Sequence, residues 1–220
     1  MKAAHFPFDT AARVALATIA WAALLLQFYL SIALAFSNGH GVAHATAMFL
    51  GYFTILTNLF VALAATLPLL AAHRGAGRFF ARPTVLGCAV TSIVMVGAGY
   101  HLLLRDIWNP QGLQRVADYL LHYAVPLSAL AYWLVFAPRV QLGLAAPVRW
   151  CIYPIAYLAY ALLRGAATGW YPYYFIDVGR IGQAQVLLNV ALMLLAFITV
   201  GAFIRWLPRL RRDTITAAGR

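Results

Sequence analysis

Thr54, Thr57 and Asn58 stand at positions i, i+3 and i+4 within an apolar run from about Ala45 to Ala72. That spacing puts three hydrogen-bonding side chains on one face of a helix. Lipid offers them no partner, so the face must point at other helices or at a cavity. Asp118 and His122 form a second group, again at i and i+4 in an apolar run, and so neighbours on one helix face. A carboxylate beside an imidazole fixes its tautomer and stabilises the imidazolium, which is how a general base is built. A threonine hydroxyl close to such a histidine is the minimum for acyl transfer: the histidine takes the proton and the hydroxyl attacks an ester carbonyl. The same residues also have plainer uses. Threonine and asparagine commonly bond helix to helix in membranes. Asp118 could simply begin a helix, stabilised by its dipole, and His122 could be a bonded interior histidine.

A third group is the stripe Tyr153, Tyr157, Tyr160 and Arg164, at offsets 0, 4, 7 and 11. At 100° per residue these stay within a narrow arc. The stripe is either aromatic packing or a binding face that ends in a cation, and its phenol hydroxyls need partners in either case. An arginine inside the bilayer must be paired or stand at a cavity mouth. Asp177 is the first partner to expect and Asp118 the second; otherwise Arg164 is left to receive an anionic substrate group. His40 and His44, again i and i+4, could begin a metal site with His101 or His122. The glycine between them and the absence of glutamate argue against it, and no metal or cofactor is inferred. Cys88 and Cys151 belong to no motif.

The elements that hold these groups follow from composition. Of 220 residues, 64% are hydrophobic and 10% charged, whereas a soluble domain carries roughly 25% charged residues. The chain therefore reads as an all-α polytopic membrane protein with a single domain of six transmembrane helices. By the rule of roughly 20 apolar residues per span, these are Arg13–Phe36, Ala45–Ala72, Thr84–Leu104, Val116–Ala137, Arg149–Arg164 and Gln183–Trp206. The first is too long for a signal-peptide core of roughly 7–15 residues. The net charge of +11 could suggest nucleic acid, but the arginines lie between apolar runs and not on one soluble face. They read as topology signals: twelve Lys/Arg on one side against four on the other place both termini in the cytoplasm. The basic tail, residues 207–220, is suited to anionic head groups of the inner leaflet.

In this frame Thr54 lies roughly 13 Å below the outer end of the second span and His122 roughly 9 Å into the fourth, at 1.5 Å per residue. The two can meet in the outer half of the bilayer, near His101, Asn189 and Arg164. The longest loop, Gly165–Gly182, carries Trp170-Tyr171-Pro172-Tyr173-Tyr174-Phe175-Ile176-Asp177. It is either an interfacial aromatic belt or a lid over an outer site.

Four stretches carry a resemblance: Tyr52-Phe53-Thr54-Ile55-Leu56-Thr57-Asn58; Leu121-His122-Tyr123-Ala124-Val125-Pro126; Tyr153-Pro154 with Arg164-Gly165; and Trp170-Tyr171-Pro172-Tyr173 with Asp177. Together they look like a family of bacterial six-span membrane proteins, which implies a fold and a bacterial plasma-membrane location. More distantly, the second-span threonine and fourth-span histidine resemble the androgen-induced and androgen-dependent integral membrane hydrolases of eukaryotes. Those are threonine hydrolases of fatty acid esters of hydroxy fatty acids. The resemblance implies Thr54 as nucleophile, with Thr57 as the alternative, and His122 as base.

The expectation is a Thr/His hydrolase of a lipid ester. Asp118 would orient the base and Asn58 or Tyr153 would donate to the oxyanion. Arg164, Tyr157 and Asp177 would contribute to binding a lipid-like substrate. The reading from another class is a non-catalytic lipid- or small-molecule-binding protein, or a transporter.

Overall fold

The computed structural model describes residues 7–137 and 141–217, with the backbone alone at Pro7 and over 209–217. Lys2, Arg139 and the arginines from Arg209 onward, all counted in the charge asymmetry, lie outside the residues so described, apart from the helical backbone of Arg209, Arg211 and Arg212. The described chain is helical, and six of its helices are long and apolar enough to cross a membrane: Phe8–Ser37, Phe53–Leu70, Pro83–Leu104, Gly112–Phe136, Ala146–Thr168 and Gln183–Pro208. The order is α1 (Pro7–Ser37), α2 (Val42–Phe49), α3 (Phe53–Leu70), α4 (Gly75–Phe80) and α5 (Pro83–Gly99), the last prolonged by a π-helical turn, Tyr100–Leu104. Then come α6 (Gly112–Tyr119), a second π turn (Leu120–Ala124), α7 (Val125–Phe136), α8 (Ala146–Trp150), α9 (Ile152–Thr168), α10 (Val178–Ile181) and α11 (Gln183–Ala217).

The bundle is built around α5. Of its span 61% is buried, against 17% for the last span. Small residues allow this. A Cβ at Gly87 would collide with the rings of Trp150 and Trp133. Thr91 and Ser92, both fully buried, donate to the carbonyls of Gly87 and Cys88 at 2.8 Å, so their hydroxyls are satisfied within the helix. The indoles lock neighbouring helices by their N–H groups: Trp133 donates to the Ile204 carbonyl at 2.8 Å and Trp150 to the Thr84 hydroxyl at 3.0 Å.

Two π turns face each other at the end of the bundle away from the termini. Pro126 has no N–H, so the His122 carbonyl has no donor from the residue four ahead. The Leu120–Ala124 π turn lies just before this break. Gly97 lets α5 close on that carbonyl, since a Cβ there would stand 3.0 Å from it.

The second expected span is broken. Residues 45–72 are apolar throughout, but the helix stops at Phe49 and restarts at Phe53, with Tyr52 extended (ψ 133°) as its N-cap. Gly51 sits in the break, and the guanidinium of Arg164 fills the space where its Cβ would be. Thr54 is therefore the second residue of a helix and not the third turn of a long one. The fifth span is longer than expected: the chain is helical from Ala146 to Thr168, with a turn at Cys151. Arg164 is thus a helical residue with a full turn beyond it, and the loop starts at Gly169 (φ +71°) instead of Gly165.

At the end that carries the termini, arginines read as topology signals also bond the protein. Arg13 donates to the Ala64 carbonyl at 3.3 Å and lies over the Tyr132 ring, whose hydroxyl donates to Asp9 at 2.7 Å. Arg205 donates to the carbonyls of Leu142 and Gly143.

Candidate functional site

Thr54 and His122 meet. The Thr54 Oγ1 lies 3.4 Å from Nε2 of His122. On the other side of the ring, Nδ1 stands 3.0 Å from the Asp118 carbonyl oxygen and 3.1 Å from Asp118 Oδ1. Both partners are acceptors, so Nδ1 carries the proton. In the neutral ring, Nε2 then presents its lone pair to the threonine hydroxyl. Asp118 is itself held, since its Oδ2 accepts the Tyr100 hydroxyl at 2.5 Å. The Tyr100 ring stacks on His122, with centroids 4.0 Å apart and planes 15° apart. Both members of the pair are largely shielded: their side chains are 12% (His122) and 6% (Asp118) exposed. The two π turns position the whole set, because Tyr100 begins one and His122 is the centre of the other.

Beside Thr54 opens a cavity of about 120 Å³. Phe53 and Thr54 of α3, Met95, Val96 and Gly99 of α5, and Tyr100, Leu103 and Leu104 of its π turn form one wall. Pro154, Tyr157 and Leu158 of α9 and Val190, Met193, Leu194 and Phe197 of α11 form the other, and Tyr173, Phe175 and Ile176 of the loop close the end. From Val190 to Phe197 is seven residues, roughly 10 Å along the helix. The cavity is therefore an elongated apolar slot, and its few hydroxyls gather where Thr54 stands.

The two threonines are placed differently. Thr54 is partly accessible on the slot wall, whereas Thr57 is fully buried with its hydroxyl 3.2 Å from that of Tyr153. Asn58, also fully buried, donates from Nδ2 to the carbonyls of Thr54 (2.8 Å) and Leu121 (3.3 Å). Its amide therefore ties α3 to the second π turn. The expected oxyanion donors, Asn58 and Tyr153, are committed elsewhere and do not line the slot. Tyr157 lines it, but its hydroxyl donates to the Gly51 carbonyl at 3.0 Å.

Arg164 does not bond Asp177 or Asp118. Asp177 caps α10, accepting the Arg180 N–H at 3.1 Å, and Asp118 is taken by His122 and Tyr100. The guanidinium instead lies 4.4 Å from the centre of the Trp170 ring and donates to the Met48 sulfur at 3.3 Å. An aromatic face is an alternative partner for a cation with little access to water. Neither Arg164 nor Asp177 lines the slot.

His101 is exposed, bonding Tyr123 and Arg105. His40 and His44 stack on each other at the surface, 4.1 Å apart. No group of three metal-ligating side chains occurs among the described residues. Cys88 and Cys151 are buried free thiols. Asn189 donates to the Phe175 carbonyl at 2.9 Å, fastening the loop to α11.

Two residues at the site were not singled out from sequence. Tyr100 ends an apolar run beside His101, and Tyr173 stands among other loop aromatics. Neither type nor spacing separates them from packing tyrosines. Comparison with models of known families, with curated proteins and with solved structures gives no match to this chain.

Proposed function

We propose that this integral membrane protein is a Thr/His hydrolase of a lipid ester. The reading rests on one contact: the hydroxyl of Thr54, at the wall of an apolar slot, faces Nε2 of a histidine whose other nitrogen is locked by Asp118. The distant resemblance to membrane threonine hydrolases names the same two residues. His122 Nε2 takes the Thr54 proton as Oγ1 bonds to the ester carbonyl carbon, and the carbonyl π pair moves to oxygen. Collapse breaks the bond to the alcohol, which leaves with the proton from Nε2. Water, activated by the same histidine, then releases the acid from Thr54. The slot would hold the hydrocarbon chain of the ester.

Filling the slot tests this. In nanodiscs, the wild-type chain should hydrolyse both p-nitrophenyl acetate and p-nitrophenyl decanoate. Met193→Trp should lower turnover of the decanoate by about 10-fold or more, the range for a pocket that no longer fits, and leave the acetate within about twofold. A wild-type protein that binds long-chain esters but turns over neither substrate is a lipid-binding protein and not a hydrolase.

We also place both termini in the cytoplasm of a bacterial plasma membrane, with the site in the outer half, from the charge asymmetry. Reporters fused after Arg220 should report cytoplasm and those inserted at Gly179 should report the outside. The reverse pattern would move the site to the inner leaflet.

A further inference from the structure

We propose that Tyr173 is a catalytic residue of this same site, donating a hydrogen bond from its phenol O–H to the oxyanion that forms when Thr54 attacks an ester. The inference rests on the hydrolase reading and supplies the donor that Asn58 and Tyr153 cannot.

The Tyr173 hydroxyl oxygen accepts the backbone N–H of Thr54 at 3.4 Å, so it stands next to the nucleophile. The same hydroxyl is in hydrogen-bond reach of the Thr54 side chain, and Tyr173 lines the slot there. The other three tyrosine hydroxyls around Thr54 are engaged: Tyr100 with Asp118, Tyr153 with Thr57 and Tyr157 with Gly51. The Thr54 N–H belongs to the first turn of α3, whose amides have no acceptor within the helix. The positive end of that helix thus lies where negative charge would develop. Burial holds the Tyr173 phenol above its ordinary pKa, while its hydrogen bonds to Thr54 pull the other way. A phenol that keeps its proton is a donor, as an oxyanion requires.

The loop is built to deliver this hydroxyl. Gly169 leaves α9 in the left-handed region. A Cβ on Gly165 would strike the Tyr171 ring, so the loop folds back against its own helix. The Tyr173 ring is stacked on Phe175 with planes 7° apart, and Asn189 holds the Phe175 carbonyl.

As Thr54 Oγ1 bonds to carbon, the carbonyl oxygen takes up the π pair and receives the Tyr173 hydrogen bond. On collapse the C=O re-forms and the proton stays on Tyr173. The test uses full-length protein in nanodiscs with p-nitrophenyl decanoate and its thiono analogue, whose C=S sulfur is a weak acceptor. Tyr173→Phe should lower kcat on the oxo ester by about 100-fold or more, the loss typical for one oxyanion donor. KM should stay within about threefold, and the preference for oxo over thiono ester should largely disappear. An oxo-ester kcat within about threefold of wild type would overturn the proposal. So would equal losses on both esters, which would make Tyr173 a packing residue while the hydrolase stands. If the wild-type protein hydrolyses neither ester, the hydrolase reading itself fails.

Discussion

Thr54→Ala should lower ester turnover by about 10⁴-fold or more, the scale on which removal of an activated nucleophile acts, and Thr57→Ala should leave it within about tenfold. Sequence treats the two threonines almost alike, since they lie one turn apart on the same face. Geometry separates them. Thr54 is on the slot wall with its hydroxyl 3.4 Å from His122, whereas Thr57 is fully buried against Tyr153. Removing the Thr57 hydroxyl strands the Tyr153 hydroxyl, so that variant should lose stability, by about 1–3 kcal/mol for an unsatisfied buried group. Removing Thr54 deletes the reacting atom and should scarcely move the melting temperature. Turnover and thermal melting measured side by side check both halves. Near-wild-type turnover in Thr54→Ala with loss in Thr57→Ala would transfer the chemistry to the other hydroxyl.

Asp118→Asn should lower kcat by about 10²–10⁴-fold. The carboxylate accepts the Nδ1 proton of His122 at 3.1 Å and so keeps Nε2 free for Thr54. An amide can present its NH₂ instead, which reverses the tautomer, and in serine proteases the equivalent change costs about 10⁴-fold. The Tyr100 hydroxyl, which donates to the same carboxylate, loses its anionic acceptor as well. If Asp118 acts through the histidine, the two losses must not add: Asp118→Asn combined with His122→Ala should be no slower than His122→Ala alone. Fully multiplicative losses would mean that Asp118 supports the bundle by a route independent of His122.

Most of the architecture was legible because membrane spans announce themselves by composition. All six long helices fall where the apolar runs are, since a chain in lipid must close its backbone hydrogen bonds within each segment. The Thr54–His122 meeting was expected, but the depth that suggested it was counted along an unbroken second span, whereas Thr54 is the second residue of α3. The break at Gly51 was not legible, because residues 45–72 stay apolar on both sides of it. The break is occupied by Arg164, from a helix more than a hundred residues later. In the sequence the two arginines mark the ends of the fifth span as charged boundaries, yet the helix runs past both. Arg149 and Arg164 are both helical, and Arg164 finds Trp170 and Met48 in place of an acid. The π turns that carry Tyr100 and His122 leave no mark in residue type beyond Pro126. Tyr100 and Tyr173 are set apart from the other tyrosines only by what their hydroxyls reach.

The central claim is that Thr54 is a nucleophile made reactive by His122. Labelling the full-length protein in nanodiscs with an alkyl fluorophosphonate and sequencing the adduct addresses it directly. The account predicts a phosphonyl group on Thr54 Oγ1, absent in Thr54→Ala and strongly reduced in His122→Ala. An adduct on Thr57 or on a tyrosine, or ester turnover by a protein that never becomes labelled at Thr54, would contradict it.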